Sequence, residues 1–469
     1  MPTAFEEIMA VRGRGMPERG EVTIVGTDPV LATRFKIAET CAAAVAAVGV
    51  AVSDIWELKT GRRQKVTVDA RLTAAGLRSS AYIQRPGPDG VFKNVVNGEH
   101  EAMRRMTQPW PTRDGRWFLP HFGLPNLKAK VLNVLRCEPN PPAVAKAVSG
   151  WDALDLEAAI DEARACGAMV RTNTEWLAHA HGQMLLKKPV VEIIKLADSD
   201  PKPLPNKPLP NGPRPLSGIR VLDLTRILAG PMSARTLAEH GAEVLMVTAE
   251  RLPQIPEHVI DTNHGKRSTF LDLTRADDAA RLKALVKDAD VFSQGYRPGA
   301  LAKLGFGPDE LAALRPGLIY VSISCFGADG PFSHRAGWEQ VAQTVTGILN
   351  EGKPDRPALL PGAACDYTTG YLAAYGTLLA LARRAREGGS YHVRVSLCRS
   401  GMMIYRQGKL DDVAADLDLS PEELDRMRIE SHPKSGPLRH LGPAVQLSET
   451  PPRWDRPTPQ LGGDAAAWV

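Results

Sequence analysis

Asp366 is a lone carboxylate among small residues, in the string Pro361-Gly-Ala-Ala-Cys-Asp-Tyr-Thr-Thr-Gly370. The apolar, alanine-rich run 371–382 follows it. A carboxylate at the mouth of an apolar helix is costly to bury without compensation. The N–H groups and partial positive charge of a helix N-terminus would supply that compensation and keep the group ionised. An ionised, partly desolvated carboxylate can act as a nucleophile. Ordinary Asp N-caps fill the same kind of position, so the string alone leaves both roles open.

The elements that must hold this residue read as an α/β unit between Leu216 and Leu397. Short apolar strands are expected at 219–224, 243–247, 269–273, 291–294 and 318–324, with helices at 276–286 and 309–313. Ala229-Gly-Pro231 opens a further helix, with proline in its first turn. Strands alternating with helices predict a doubly wound parallel sheet, Rossmann-like, beside a smaller α+β domain. Ligands on such sheets lie beyond the carboxyl ends of the strands. Ala229-Gly230, the run from Gln294 to Arg297 and the run from Ser324 to Gly327 all fall there.

The segment 198–217 carries proline at nearly every second position, which favours an extended linker over helix or sheet. The reading divides the chain into 1–85, a partial copy of the large domain; 86–197, a small α+β domain; 198–217, the linker; 218–402, the ligand-binding and catalytic domain; and 403–469, an extended tail. The partial copy rests on an internal repeat. Thr60-Gly-Arg-Arg-Gln-Lys-Val-Thr-Val-Asp69 parallels Glu387-Gly-Gly-Ser-Tyr-His-Val-Arg-Val-Ser396, each after an alanine-rich helix, and Glu39 falls opposite Asp366.

Composition excludes several functions. The 469 residues are 43% hydrophobic and 24% charged, as in ordinary globular chains. No uninterrupted apolar run reaches about 18 residues, so no membrane span is expected. The N-terminus lacks a signal core, which points to the cytoplasm. Six scattered cysteines form no Cys-x-x-Cys pair, against a zinc site or a disulfide framework. The net charge of +5 is spread along the chain, which argues against a nucleic-acid partner. His179-Ala-His181 has no nearby ligand partner and reads as surface rather than metal site.

The string Leu216-Ser-Gly-Ile-Arg-Val-Leu-Asp-Leu-Thr-Arg-Ile-Leu-Ala-Gly-Pro231 resembles the opening of the class III CoA-transferases, the family of formyl-CoA transferase and carnitine CoA-transferase. The resemblance continues in family order through Asn263-His-Gly-Lys-Arg-Ser268, Gly295-Tyr-Arg-Pro-Gly299, Leu318-Ile-Tyr-Val-Ser-Ile-Ser324 and Gly337-Trp-Glu-Gln-Val-Ala-Gln343 to the Asp366 segment. Trp110-Pro-Thr-Arg-Asp-Gly115 and Glu175-Trp-Leu177 resemble the family's small domain, here placed ahead of the linker instead of after the aspartate.

The resemblance implies CoA transfer between an acyl-CoA and a carboxylic acid, with Asp366 as nucleophile and Glu339 near the reacting centre. It implies CoA contacts at Leu228 and Ala229, at Leu271, Asp272, Leu273 and Thr274, at Gly295, Tyr296 and Arg297, and at Trp338. Lys303 and Arg335 would face the phosphates, or else be solvated surface charges. No cofactor beyond the CoA thioester, no metal and a homodimer are implied. Met246, Thr248, Ala249, Glu250 and Cys325 depart from the family pattern, and its glycine-rich loop has no counterpart. Other readings are an α-methylacyl-CoA racemase, for which Gly337-Trp338-Glu339 lacks the needed histidine, and a non-catalytic CoA-binding protein. A nicotinamide dehydrogenase is disfavoured because the turn 224–231 lacks Gly-x-Gly-x-x-Gly.

Overall fold

A seven-stranded sheet organises the computed structural model, which describes residues 2–207, 212–353 and 355–469. In chain order its strands are β1 (Glu192–Ala197), β2 (Arg220–Leu224), β3 (Glu243–Thr248), β4 (Lys266–Phe270), β5 (Val291–Gln294), β6 (Ile319–Ser324) and β7 (Ser390–Ser396). They lie in the order β4-β3-β2-β5-β6-β7-β1. The first six of that order run parallel, and β1 joins β7 antiparallel. The parallel part is doubly wound: the chain builds β2 to β4 toward one edge, then returns to build β5 to β7 toward the other. The reversal leaves a crevice between β2 and β5, at their carboxyl ends.

Strand sequence explains why both faces are covered. Side chains alternate across a strand, and here the two alternating sets enter different cores. Val221, Val244, Val291, Ile319 and Val321 face one core, and Leu222, Leu245, Phe292 and Tyr320 face the other. Continuous apolar strands of this kind are what a sheet buried on both sides requires.

Five helices matter for the site: α1 (Ile37–Thr60), α2 (Ala229–Glu239), α3 (Glu339–Thr346), α4 (Ala364–Glu387) and α5 (Leu397–Arg406). α1 and α4 both run 24 residues and pack on each other. Each is followed by a strand and another helix: Val66–Asp69 and Ala70–Gly76 after α1, β7 and α5 after α4. The earlier strand does not enter the large sheet; it lies between Val22–Val25 and Val445–Leu447 in a three-stranded one. α1 is long and apolar enough to cross a membrane, which the sequence reading did not expect of any segment. Most of it is buried in the core against α4.

Several expected boundaries shift. The strand expected at 269–273 is β4, Lys266–Phe270, because Lys266 begins a ladder with Val244. Leu271, Asp272, Leu273 and Thr274 leave the sheet in a turn in which Asp272 accepts from the Thr274 N–H at 3.0 Å. The last strand before the proline-rich segment, β1, belongs to the large sheet rather than to the small domain ahead of it. The small domain keeps its own core around Phe118, Val131, Leu156 and Ile160. Within 198–217, residues 208–211 lie outside the described residues. The boundary at 402 falls inside α5, and the chain beyond it is not simply extended. It forms a helix, Pro421–Met427, and strands Arg428–Ser431, Leu438–Leu441 and Val445–Leu447. Its end runs along β4, where Asp464 exchanges hydrogen bonds with Ser268. Covering an edge strand in this way blocks pairing with another chain.

Candidate active site

The turn from β2 into α2 forms one wall of the crevice. Asp223, near the end of β2, accepts from the Thr225 N–H at 3.0 Å and from the Thr225 hydroxyl. Its other oxygen meets Lys266 Nζ at 2.8 Å, with both side chains fully buried. Lys266 also donates to the Pro231 carbonyl at 2.8 Å, in the first turn of α2. Within this clamp Ile227 takes φ +79°, a left-handed conformation that is strained for a β-branched residue. Gly230 is required, since a Cβ there would lie 2.3 Å from Thr225 Cβ. The small Ala229, first residue of α2, lines the cavity beside Asp366, and its N–H favours the ionised form of that carboxyl.

Asp366 lies at the third residue of α4, 9% exposed. α4 crosses α2 closely enough that a Cβ on Gly370 would sit 2.7 Å from the Ala229 carbonyl oxygen. Glu339, the first residue of α3, reaches across to cap α4. It accepts from the Asp366 N–H at 2.6 Å, from the Cys365 N–H at 3.1 Å and from Gln343 Nε2 at 2.6 Å. Gln343 in turn accepts from the Leu360 N–H at 2.9 Å.

This corrects the expectation that the helix N-terminus keeps Asp366 ionised. The first N–H groups of α4 are given to Glu339, not to Asp366's own carboxylate. Burial and the neighbouring Glu339 charge hold the Asp366 carboxyl well above the usual range, opposed by the Ala229 N–H. Burial raises Glu339 as well, against its three donors. With more donors, and at the start of α3, Glu339 is the better stabilised of the two as an anion, and Asp366 is held toward its neutral form. Two close carboxylates behave as a coupled pair of this sort. Burial and these carboxylates also push the Cys325 and Cys365 thiols up, so neither is a ready thiolate.

Asp366 opens into a cavity of about 180 Å³ at the sheet's switch point. Leu228, Ala229, Gly295, Tyr296 and Trp338, all anticipated from sequence, line it together with Asp366. Glu339 stands behind Asp366 as the cap. The other anticipated residues are not brought to the cavity. Leu271 is buried, and Asp272 is held by Arg251 at 2.6 and 2.9 Å. Arg297 donates to the Arg164 carbonyl, and Lys303 is exposed on the short turn Ala302–Leu304. Arg335 is neither at the cavity nor a solvated charge: it pairs with Asp161 at 3.1 Å and Glu157 at 3.4 Å, stacked on Phe332.

Sequence reasoning missed Arg226 and Leu124. Arg226 lines the cavity and, with Arg251, lies near the Tyr296 hydroxyl. It lies inside the quoted family string, so its place in the turn is a usable signal. Leu124 comes from the small domain, where His121 packs on Trp338 at 4.7 Å between centroids. No local signal marks that contact. His121 bonds Gln340 at 2.9 Å, and burial pushes its pKa down to about 4, so it is a neutral packing group.

Residues 216–423 match the model of CoA-transferase family III. The chain is 36% identical over 316 residues to the acetyl-coenzyme A transferase nodX of Hypoxylon pulicicidum, covering 62% of this chain and 53% of that protein. It is 33% identical over 228 residues to the succinyl-CoA:glutarate CoA-transferase of Mus musculus, covering 45% and 51%. A solved CAIB/BAIF family protein from Brucella suis matches at 33% identity with a TM-score of 0.38, over 40% of this chain and 55% of that one. The chain thus spans about half the length of these curated relatives.

Proposed function

We propose, from the match of residues 216–423 to the model of CoA-transferase family III, that the protein moves CoA from an acyl-CoA donor to a carboxylic acid acceptor through covalent intermediates on Asp366. The Asp366 carboxylate attacks the thioester carbonyl, forming a mixed anhydride and releasing CoA thiolate. The thiolate attacks the aspartyl carbonyl, giving an aspartyl-CoA thioester and freeing the donor's carboxylate. The acceptor carboxylate attacks that thioester, forming a second anhydride and again releasing thiolate. Attack of the thiolate on the acceptor's acyl carbon yields the new acyl-CoA and restores Asp366. A carboxylate nucleophile suits this exchange because each anhydride can be opened at either carbonyl.

The observation that carries the reading is the placement of the Asp366 carboxyl in the switch-point cavity, against the Ala229 N–H. A backbone donor fixed there can stabilise an oxyanion as charge develops, a contribution of about 3–4 kcal/mol per donor in other acyl-transfer sites. Arg226, which lines the cavity beside Tyr296, supplies positive charge for the CoA phosphates in place of Arg335. Among the described residues no histidine lines the cavity, which disfavours the racemase reading. A homodimer acting in the cytoplasm, with no cofactor beyond the thioester, completes the proposal.

The test is to incubate the protein with a panel of acyl-CoAs and hydroxylamine and map the products by peptide mass spectrometry. A hydroxamate at Asp366, absent in Asp366→Asn, supports the transferase. Tight CoA binding with no adduct from any donor would favour a non-catalytic CoA-binding protein.

A further inference from the structure

We propose that the buried Asp223–Lys266 pair is a positioning device that holds the strained β2–α2 turn so that the Ala229 N–H faces the Asp366 carboxyl. The inference rests on the transferase reading. It adds two residues that do not line the cavity.

Both side chains are fully buried, and their atoms are divided between the parts that must be aligned. Asp223 gives one oxygen to Thr225, in the turn, and the other to Lys266 on β4. Lys266 spends a second donor on the Pro231 carbonyl, two residues beyond Ala229. The turn is therefore tied at both ends through one cation that reaches it from two strands away. Between those ties Ile227 sits at φ +79°. Conformations of this kind persist only where the surroundings over-determine them. An apolar pair of similar size could fill the same volume, because buried ion pairs are often replaceable without loss of stability. It could not make the bonds to Thr225 and Pro231, and so could not hold the turn.

The test combines Asp223→Asn, the double variant Asp223→Asn/Lys266→Met, and each of these with Ile227→Gly. The double variant removes both charges together, which keeps the fold testable if an unpaired Lys266 does not. Hydrogen exchange of the peptide spanning the turn, read by mass spectrometry on the intact chain without substrate, should accelerate at least tenfold in the double variant. In acyl transfer, kcat should fall about 100-fold, the size of losing one oxyanion donor, with KM for acyl-CoA changed less than threefold. Glycine accepts φ +79° without being held there, so Ile227→Gly in the double-variant background should restore kcat at least tenfold. Unchanged exchange in the turn would overturn the proposal, whatever the catalysis. So would accelerated exchange with kcat intact, or a kcat loss that glycine does not recover. If wild type forms no Asp366 adduct with any donor, the transferase reading fails, and the exchange result still decides whether the pair clamps the turn.

Discussion

Glu39 and Asp366 each occupy the third residue of a 24-residue helix, and in each helix the N–H of that residue is taken by another carboxylate. Asp28 accepts from the Glu39 N–H at 2.9 Å, as Glu339 accepts from the Asp366 N–H at 2.6 Å. The helices pack on one another, so the chain contains two versions of one arrangement. The surroundings separate them. Asp366 meets the β2–α2 turn and a cavity, whereas the Glu39 side chain, one-third exposed, lies 3.9 Å from Lys36. Glu39→Gln should leave turnover within about twofold, within the small effect usual for substitutions away from special features, while Asp366→Asn abolishes it. A large loss of turnover in a well-folded Glu39→Gln would make the first helix part of the chemistry.

The carboxylate pair sets a pH dependence with a definite sign. The proposed attack needs Asp366 deprotonated, and burial with the Glu339 charge raises its carboxyl well above the usual range. Adduct formation should therefore rise with pH, with its acid limb above the ordinary carboxylate region. Glu339→Gln removes the neighbouring charge and should move that limb down by about one pH unit or more. It should also lower the plateau rate, since the amide has one acceptor for the two N–H groups of α4. Rapid-quench trapping across pH reads both effects. A limb that stays in place in Glu339→Gln would show that the two carboxyls do not titrate as a pair.

The same shift carries a stability consequence. A carboxyl whose folded pKa lies above its unfolded value, about 3.9, destabilises the fold as pH rises from the unfolded value through the folded one. Below about pH 3 both states are protonated and the term vanishes. Asparagine cannot ionise. Asp366→Asn should thus gain about 1–2 kcal/mol at pH 8 over wild type, a gain typical of relieving a strained functional site, and almost nothing at about pH 3. Denaturant titrations at the two pH values would show this as a midpoint difference present only at the higher one. Equal differences at both would place the effect in packing instead.

What sequence revealed of this arrangement follows how local each signal is. Leu228, Ala229, Gly295 and Tyr296 are fixed by strand ends and turns, so their neighbours in sequence announce them. β4 was displaced by three residues because its opening Lys266 and Arg267 read as polar. Lys266 is buried by a partner 43 residues away, which no window of β4 contains. Glu339 was seen as a residue near the chemistry but not as the cap of α4, because that bond spans 27 residues. Arg335 was assigned to phosphates since nothing near it in sequence displays Asp161 or Glu157, more than 170 residues earlier. Leu124 reaches the cavity only through the docking of the small domain, a tertiary event with no local trace.

The crossing of α4 over α2 gives the sharpest packing test of the site. Gly370 faces the backbone of Ala229, and a Cβ there would lie 2.7 Å from the Ala229 carbonyl oxygen and 2.9 Å from Met232 Cβ. Backbone cannot yield as a flexible side chain can, so Gly370→Ala must push α4 away from α2. Overpacking of this kind costs about 1–3 kcal/mol. Because Asp366 lies one helical turn before Gly370 on α4, the displacement also moves its carboxyl from the Ala229 N–H. Activity should fall at least tenfold, the scale at which small misplacements tell on catalysis, with only a modest drop in thermal midpoint. The companion change Met232→Ala removes the Cγ contact at 3.1 Å but leaves the Cβ at 2.9 Å and the carbonyl in place. It should recover part of the stability and little of the rate. Full recovery of the rate would show that side-chain crowding, not the spacing of the two backbones, governs the site.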